Sequence, residues 1–142
     1  MKAAPVLLFF VALAIVLLAW PSTPSEAASV AVRVDGPDGV WFMGNLTAPD
    51  AYEAMHSIAT AQDWVLEVDG RPGQCTAYVK TIRGVGESGA GGWVFEIKRG
   101  GNWTGPLYTS ADCTPLQDGD LLWWHWSADG QYEADKPWDA AG

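Results

Sequence analysis

The sequence predicts an α+β domain in which one helix packs on one face of a mixed sheet. Three observations carry this. Short runs of alternating, β-branched and aromatic residues recur along most of the chain, as in "SVAVRV" and "WVFEIK". A single stretch, "PDAYEAMHSIATAQ", changes to the helical period. The order is hairpin, helix, then further strands, the arrangement of an α+β fold.

The elements follow in order. Ser29 to Val34 alternates and reads as a strand, and Asp35 to Gly39, "DGPDG", reads as a turn. Val40 to Thr47 reads as a second strand, closing a hairpin with the first. Asp50 is placed to cap a helix, with Glu53 three residues on in a capping-box arrangement. Ala51, Met55, Ile58 and Ala59 fall on one face of that helix. Trp64 to Val68 reads as a short strand and "DGRPGQ" as a loop. Cys75 to Ile82 is a further strand. Arg83 to Gly92, "RGVGESGAGG", is glycine-rich and reads as a loop. Trp93 to Lys98 is a strand with Trp93, Phe95 and Ile97 on one face. "RGGNWTGP" is a loop, and "YTSADCTPLQDGD" leads through a turn into the last strand, Leu121 to Trp126.

The 142 residues suit one domain preceded by a targeting segment. Lys2 is followed by an apolar run from Ala3 to Trp20, then by small residues at Ser25 and Ala27, the layout of a secretory signal. Residues 1–27 are expected to be a cleaved signal peptide, the alternative being a retained membrane anchor. Residues 28–127 would form the domain and residues 128–142 an acidic tail. Either reading places the domain outside the cytoplasm, secreted or held at the membrane by its N-terminus. The formal net charge is −9, a field that repels a phosphate backbone, so nucleic acid is not an expected partner. The two cysteines, Cys75 and Cys113, are expected to form one structural disulfide in an exported chain.

Several motifs suggest chemistry and are outweighed by simpler readings. Gly84-x-Gly86-x-x-Gly89 matches a dinucleotide fingerprint, but a strand follows it where the pyrophosphate would need a helix N-terminus. "GESGA" approaches a nucleophile elbow, again with no helix after it. A Ser88–His125 pair is imaginable, yet no defensible catalytic constellation exists, so no enzyme is expected. Asp118 and Asp120 flank Gly119, which reads as a tight turn, the alternative being a weakly held Ca²⁺. No cofactor is required. His56 reads as a solvent-side residue of the helix. Asn45-Leu46-Thr47 and Asn102-Trp103-Thr104 are both N-x-T triplets, whose glycosylation the sequence leaves open.

"DGDLLWWHW" poses the functional question. In a strand, Leu122, Trp124 and Trp126 face one way and Leu121, Trp123 and His125 the other. Both faces are apolar and both carry tryptophan, in a chain with nine tryptophans. Trp41, Trp64, Trp93 and Trp124 read mainly as core, whereas Trp103, Trp123 and Trp138 are candidates for exposure. The simpler alternative is that they cover one another within the domain, or that the tail around Trp138 covers them; exposed indoles would instead provide stiff, amphipathic contact area.

The residues also carry a resemblance. "VRVDGPDGVWFMGNLT" with the following helix, "TIRGVGESGAGGWVFEI", and above all "ADCTPLQDGDLLWWHW" resemble the DUF4430 domains, also called transcobalamin C-terminal-like domains. Leu116, Gly119, Asp120, Leu122 and Trp124 fall on that family's final block, and Gly92 with Trp93 on its glycine–tryptophan strand. The resemblance runs from about Val30 to Trp126. It implies a β-grasp-like fold, related to the SLBB group, and a non-catalytic module; in transcobalamins such a domain closes over cobalamin. Leu122, Trp124 and Trp126 would be core-facing and Trp123 and His125 the surplus face. A ligand surface is therefore expected from Trp123, His125, Trp103 and Trp93, with the "GGNWTGP" insertion as its rim. The partner would be a corrinoid such as cobalamin, or a glycan; the alternative is a structural module of the cell envelope that binds another protein.

Overall fold

The computed structural model describes residues 26–86, 91–104 and 110–129. The expected signal (but for its last two residues), most of the tail with Tyr132 and Trp138, Ser88 and Gly89 of the glycine-rich loop, and Gly105 and Pro106 of the expected rim lie outside these residues.

Alternation builds the main sheet. Strand β1 (Ala28–Gly36) turns tightly into β2 (Gly39–Ala48), and the two pair antiparallel from Ala28↔Ala48 to Gly36↔Gly39. A bulge between Val34 and Asp35 interrupts the ladder. Gly36 is required here: a Cβ would overlap the Trp41 indole, which lies across the hairpin end. The last strand, β8 (Leu121–Ser127), inserts beside β1 in parallel, Ala31↔Leu121 through Asp35↔His125. On its other side β8 pairs antiparallel with β6 (Gly92–Arg99), which turns into the two-residue β7 (Asn102–Trp103). The order is β2-β1-β8-β6-β7, so β8 is the central strand. A second sheet, β3-β4-β5, comprises Leu66–Asp69, Tyr78–Ile82 and Val85–Gly86.

One helix, α1 (Ala51–Gln62), covers the main sheet. The Asp50 side chain accepts from the Glu53 backbone N–H at 2.8 Å, as the spacing predicts. Asp63 ends the helix in the left-handed region, its N–H reaching Ala59 and Thr60 carbonyls. All four expected face residues, Ala51, Met55, Ile58 and Ala59, are buried, together with Tyr52 and Ala54. All of these but Ala59 join one core cluster with Val30, Val32, Val34, Trp93, Ile97, Leu122 and Trp124 from the sheet, Val79 and Ile82 from β4, and Ala77 just before it. Burying each of the larger aliphatic side chains contributes roughly 2 kcal/mol. The Trp124 indole N–H donates to the Ala51 carbonyl at 3.3 Å, tying the central strand to the start of the helix.

The result is the expected α+β, β-grasp-like mixed sheet with one packed helix. Most strand limits shift by a residue or two, and the expected "RGGNWTGP" loop contains β7; two further differences have a clear local cause. Strand β4 begins at Tyr78 rather than Cys75, because Cys75 takes a left-handed φ of 60° and turns toward Cys113. The expected loop from Arg83 contains β5, which folds back on β4 after Arg83 and Gly84 make a left-handed turn.

The disulfide forms as expected, with the Cα atoms of Cys75 and Cys113 5.1 Å apart. Around it, the Asp112 carboxylate accepts backbone N–H groups of Gly73, Cys75 and Ala77 at 3.0, 2.8 and 3.3 Å. The following segment straps the helix start through Ala51 N–H to Thr114 O and Leu116 N–H to Pro49 O. No helix among the described residues is long and apolar enough to cross a membrane.

Candidate functional site: the sheet face opposite the helix

Strand pairing decides what shares a face. Directly paired residues lie on the same side of a sheet. Arg33 on β1, Trp123 on β8 and Glu96 on β6 are paired in a row, and Asp35, His125 and Val94 form the next. Lys98 pairs with both Leu121 and Trp103. Trp123, His125 and Trp103 therefore lie together on the face turned away from α1, as the alternation of the last strand predicts.

This face holds a connected polar and aromatic chain. Arg33 donates through Nε to both oxygens of Asp35 at 3.0 Å. Asp35 also accepts the Trp123 indole N–H at 2.8 Å. The Trp123 and His125 rings stack with centroids 3.7 Å apart and planes 19° apart. Trp103 meets Trp123 edge-on at 6.1 Å. His125 Nε2 lies 2.9 Å from Oε2 of Glu96. The other ring nitrogen, Nδ1, is buried and has no hydrogen-bond partner among the described residues.

Of the two alternatives, mutual cover and open exposure, Trp123 follows the first. Trp123 is 5% and His125 2% exposed. The physical reason is mutual cover: ring stacking, the Asp35 acceptor and the Glu96 carboxylate satisfy what an open surface would leave to water. Trp103 is half-buried.

Trp93, the fourth expected member, does not join the other three. It pairs with Trp126 on the helix side of the sheet and is 4% exposed. Its indole N–H donates to the Val85 carbonyl at 2.8 Å. It belongs to a row of tryptophans in which Trp41 lies 5.5 Å from Trp93 and 5.9 Å from Trp64, and Trp126 5.9 Å from Trp93. The Arg83 guanidinium sits 4.8 Å over Trp41 and 5.8 Å from Trp64. Trp41 and Trp64 are half-buried rather than full core.

Beyond Leu121 the same face opens into a groove of about 410 Å³. Its lining includes Ser29, Ala31, Asn45, Thr47 and Leu121, which continue the rows of Arg33 and Trp123. Small side chains on β1 leave this space between longer neighbours. Sequence reasoning missed the groove, and also Arg33, Asp35 and Glu96. A signal for the charged residues existed: "RVD" and "FEIK" alternate charge against apolar residues on strands, which places the charges on the non-core face.

The acidic turn before β8 is structural. Asp118 accepts the Ser29 backbone N–H at 2.8 Å. Asp120 is buried and receives Arg99 through both oxygens, at 2.9 and 2.6 Å. That hydrogen bonding raises the already high Arg99 pKa further, ahead of an opposing burial effect. Gly119 supplies the left-handed φ of 87° between them. No group of three or more His, Cys, Asp or Glu side chains among the described residues is placed to hold a metal ion. His56 is exposed on α1 and stacks on Tyr52.

No protein-family model and no curated protein matches the chain. Among solved structures, the fold is similar to that of haptocorrin in complex with Cbi, with a TM-score of 0.53 and 19% identity over 75% of this chain. The chain spans about a quarter, 26%, of that haptocorrin chain. A second similar structure is that of a proposed metal-binding protein from Ruminococcus gnavus ATCC 29149, with a TM-score of 0.47, 22% identity, and 70% of this chain and 96% of that one covered. The likeness to the haptocorrin structure is one of fold alone.

Proposed function

We propose that this chain is an exported, non-catalytic module that binds a small molecule, a corrinoid such as cobalamin, on the sheet face opposite α1. One observation carries the reading. A stacked Trp123–His125 pair, flanked by Trp103, leaves the buried Nδ1 of His125 without a partner among the described residues, on a face that continues into a groove. Binding sites of this kind combine aromatic area with few directional polar groups. If Glu96 accepts the Nε2 proton, Nδ1 is an acceptor, suited to an amide N–H on a ligand. The fold likeness to haptocorrin, solved with Cbi, supports the ligand class, and the Cys75–Cys113 disulfide supports export. In this reading residues 1–27 direct export, residues 28–127 bind, and residues 128–142 form the tail.

Equilibrium dialysis against cobinamide and cobalamin tests it. Saturable binding is expected, weakened about tenfold by Trp103→Ala, since aromatic contact contributes on the order of 1 kcal/mol beyond area burial. Trp103 is the preferred variant because it sits at the rim of the stack. Absence of saturable binding at sub-millimolar corrinoid would overturn the proposal.

A further inference from the structure

The structure separates the two N-x-T triplets. In the first, Asn45 and Thr47 are exposed on the same face of β2, while Leu46 between them packs against the core. Neither polar side chain makes a hydrogen bond among the described residues, so amide and hydroxyl are both available. In the second, Thr104 Oγ1 is engaged twice: it accepts from Ile97 N–H at 3.2 Å and donates to Ile97 O at 3.0 Å. Trp103 in its middle is half-buried against Trp123. Attachment to asparagine requires the amide and the hydroxyl two residues on to be presented together at a surface. Only the first triplet meets that requirement in the folded chain.

A separate observation points to the same place. Strand β2 is an edge of the main sheet and runs ten residues. Its sequence, GVWFMGNLTA, contains no charged residue and no proline, although Val40 and Met43 are exposed at 50% and 58%. Edge strands are ordinarily blunted by charge, proline or a covering segment, because a bare edge templates pairing with another chain. A bulky hydrated glycan in the second half of the strand would do the same.

We infer that Asn45 is an N-glycosylation site and that its glycan guards the β2 edge. The donor is an oligosaccharide carried on a lipid pyrophosphate. Asn45 Nδ2 forms a bond to the anomeric carbon, the bond from that carbon to the phosphate oxygen breaks, the lipid pyrophosphate leaves, and the amide releases one proton. Asn45 and Thr47 also line the groove into which the proposed corrinoid face continues, so the glycan stands beside that groove; peptide mapping reads the saccharide alone, so its failure is distinguishable from a failure of corrinoid binding.

The test is peptide mapping by mass spectrometry of the full chain isolated from its native host, as wild type and as Asn45→Gln, Thr47→Ala and Asn102→Gln. The Asn45 peptide is expected to be heavier by whole saccharide residues in the wild type and in Asn102→Gln, and to have its unmodified mass in the other two. An unmodified Asn45 peptide in the wild type, or saccharide on Asn102 instead, overturns the assignment. The wild-type map decides the matter even if a variant is poorly secreted.

Discussion

His125 and Glu96 form a buried pair across adjacent strands, Nε2 to Oε2 at 2.9 Å, with the two side chains 2% and 1% exposed. Removing one member leaves the other's polar group in an apolar surround. Glu96→Ala is expected to destabilise the domain by about 3 kcal/mol, the cost typical of breaking a buried pair from one side. Glu96→Gln, which keeps an acceptor, should lose much less. Urea unfolding followed by tryptophan fluorescence measures both, and equal losses would show that the acceptor at Glu96 is immaterial.

The disulfide closes a loop between positions 38 residues apart. On the chain-entropy account, Cys75→Ser with Cys113→Ser should lower stability by about 4 kcal/mol. Thermal unfolding of wild type with and without reductant should reproduce the shift. A melting temperature unmoved by both treatments would mean that the Asp112 clasp alone fixes this segment.

Asp112 makes that clasp sensitive to acid. Burial pushes its carboxyl pKa up, but the hydrogen bonds it accepts, including those from the backbone of Cys75, Ala77 and Gly73, outweigh this and hold it below the ordinary aspartate value. A folded pKa below the unfolded one adds stability that is fully present above the unfolded value. That stability is lost as pH falls through the folded value. Asp112→Asn should therefore flatten the acid limb of the stability–pH curve below about pH 4. Parallel limbs for wild type and variant would remove Asp112 from the account.

The cap of α1 separates hydrogen bonding from charge. Burial raises the Asp50 pKa, against the hydrogen bond from Glu53, whose own charge adds to the rise. Asp50→Ala should cost about 1 kcal/mol, while Asp50→Asn, which keeps the acceptor and removes the charge, should be close to neutral. Chemical denaturation of the two variants side by side distinguishes a lost cap from a lost charge.

Local pattern determined a large part of this molecule. The helix over residues 51–62 follows from Asp50, Glu53 and the apolar spacing, because capping and i, i+4 contacts are short-range. The division of the last strand into two faces follows from its period of two. The pairing of Cys75 with Cys113 follows from there being no other cysteine. Tertiary structure decided the rest, because strand order and register depend on partners far apart in the chain. That β8 sits at the centre, parallel to β1, is what sets Asp35 within reach of the Trp123 indole N–H, 88 residues away. The Trp93↔Trp126 pairing is what puts Trp93 on the helix side, away from the other candidates. The sequence shows two tryptophan-bearing faces but not what each face meets, since alternation fixes direction and only packing fixes company. The same holds for Asn45 and Asn102: identical in pattern, they differ because one threonine hydroxyl is free at a sheet edge and the other is held inside a hairpin.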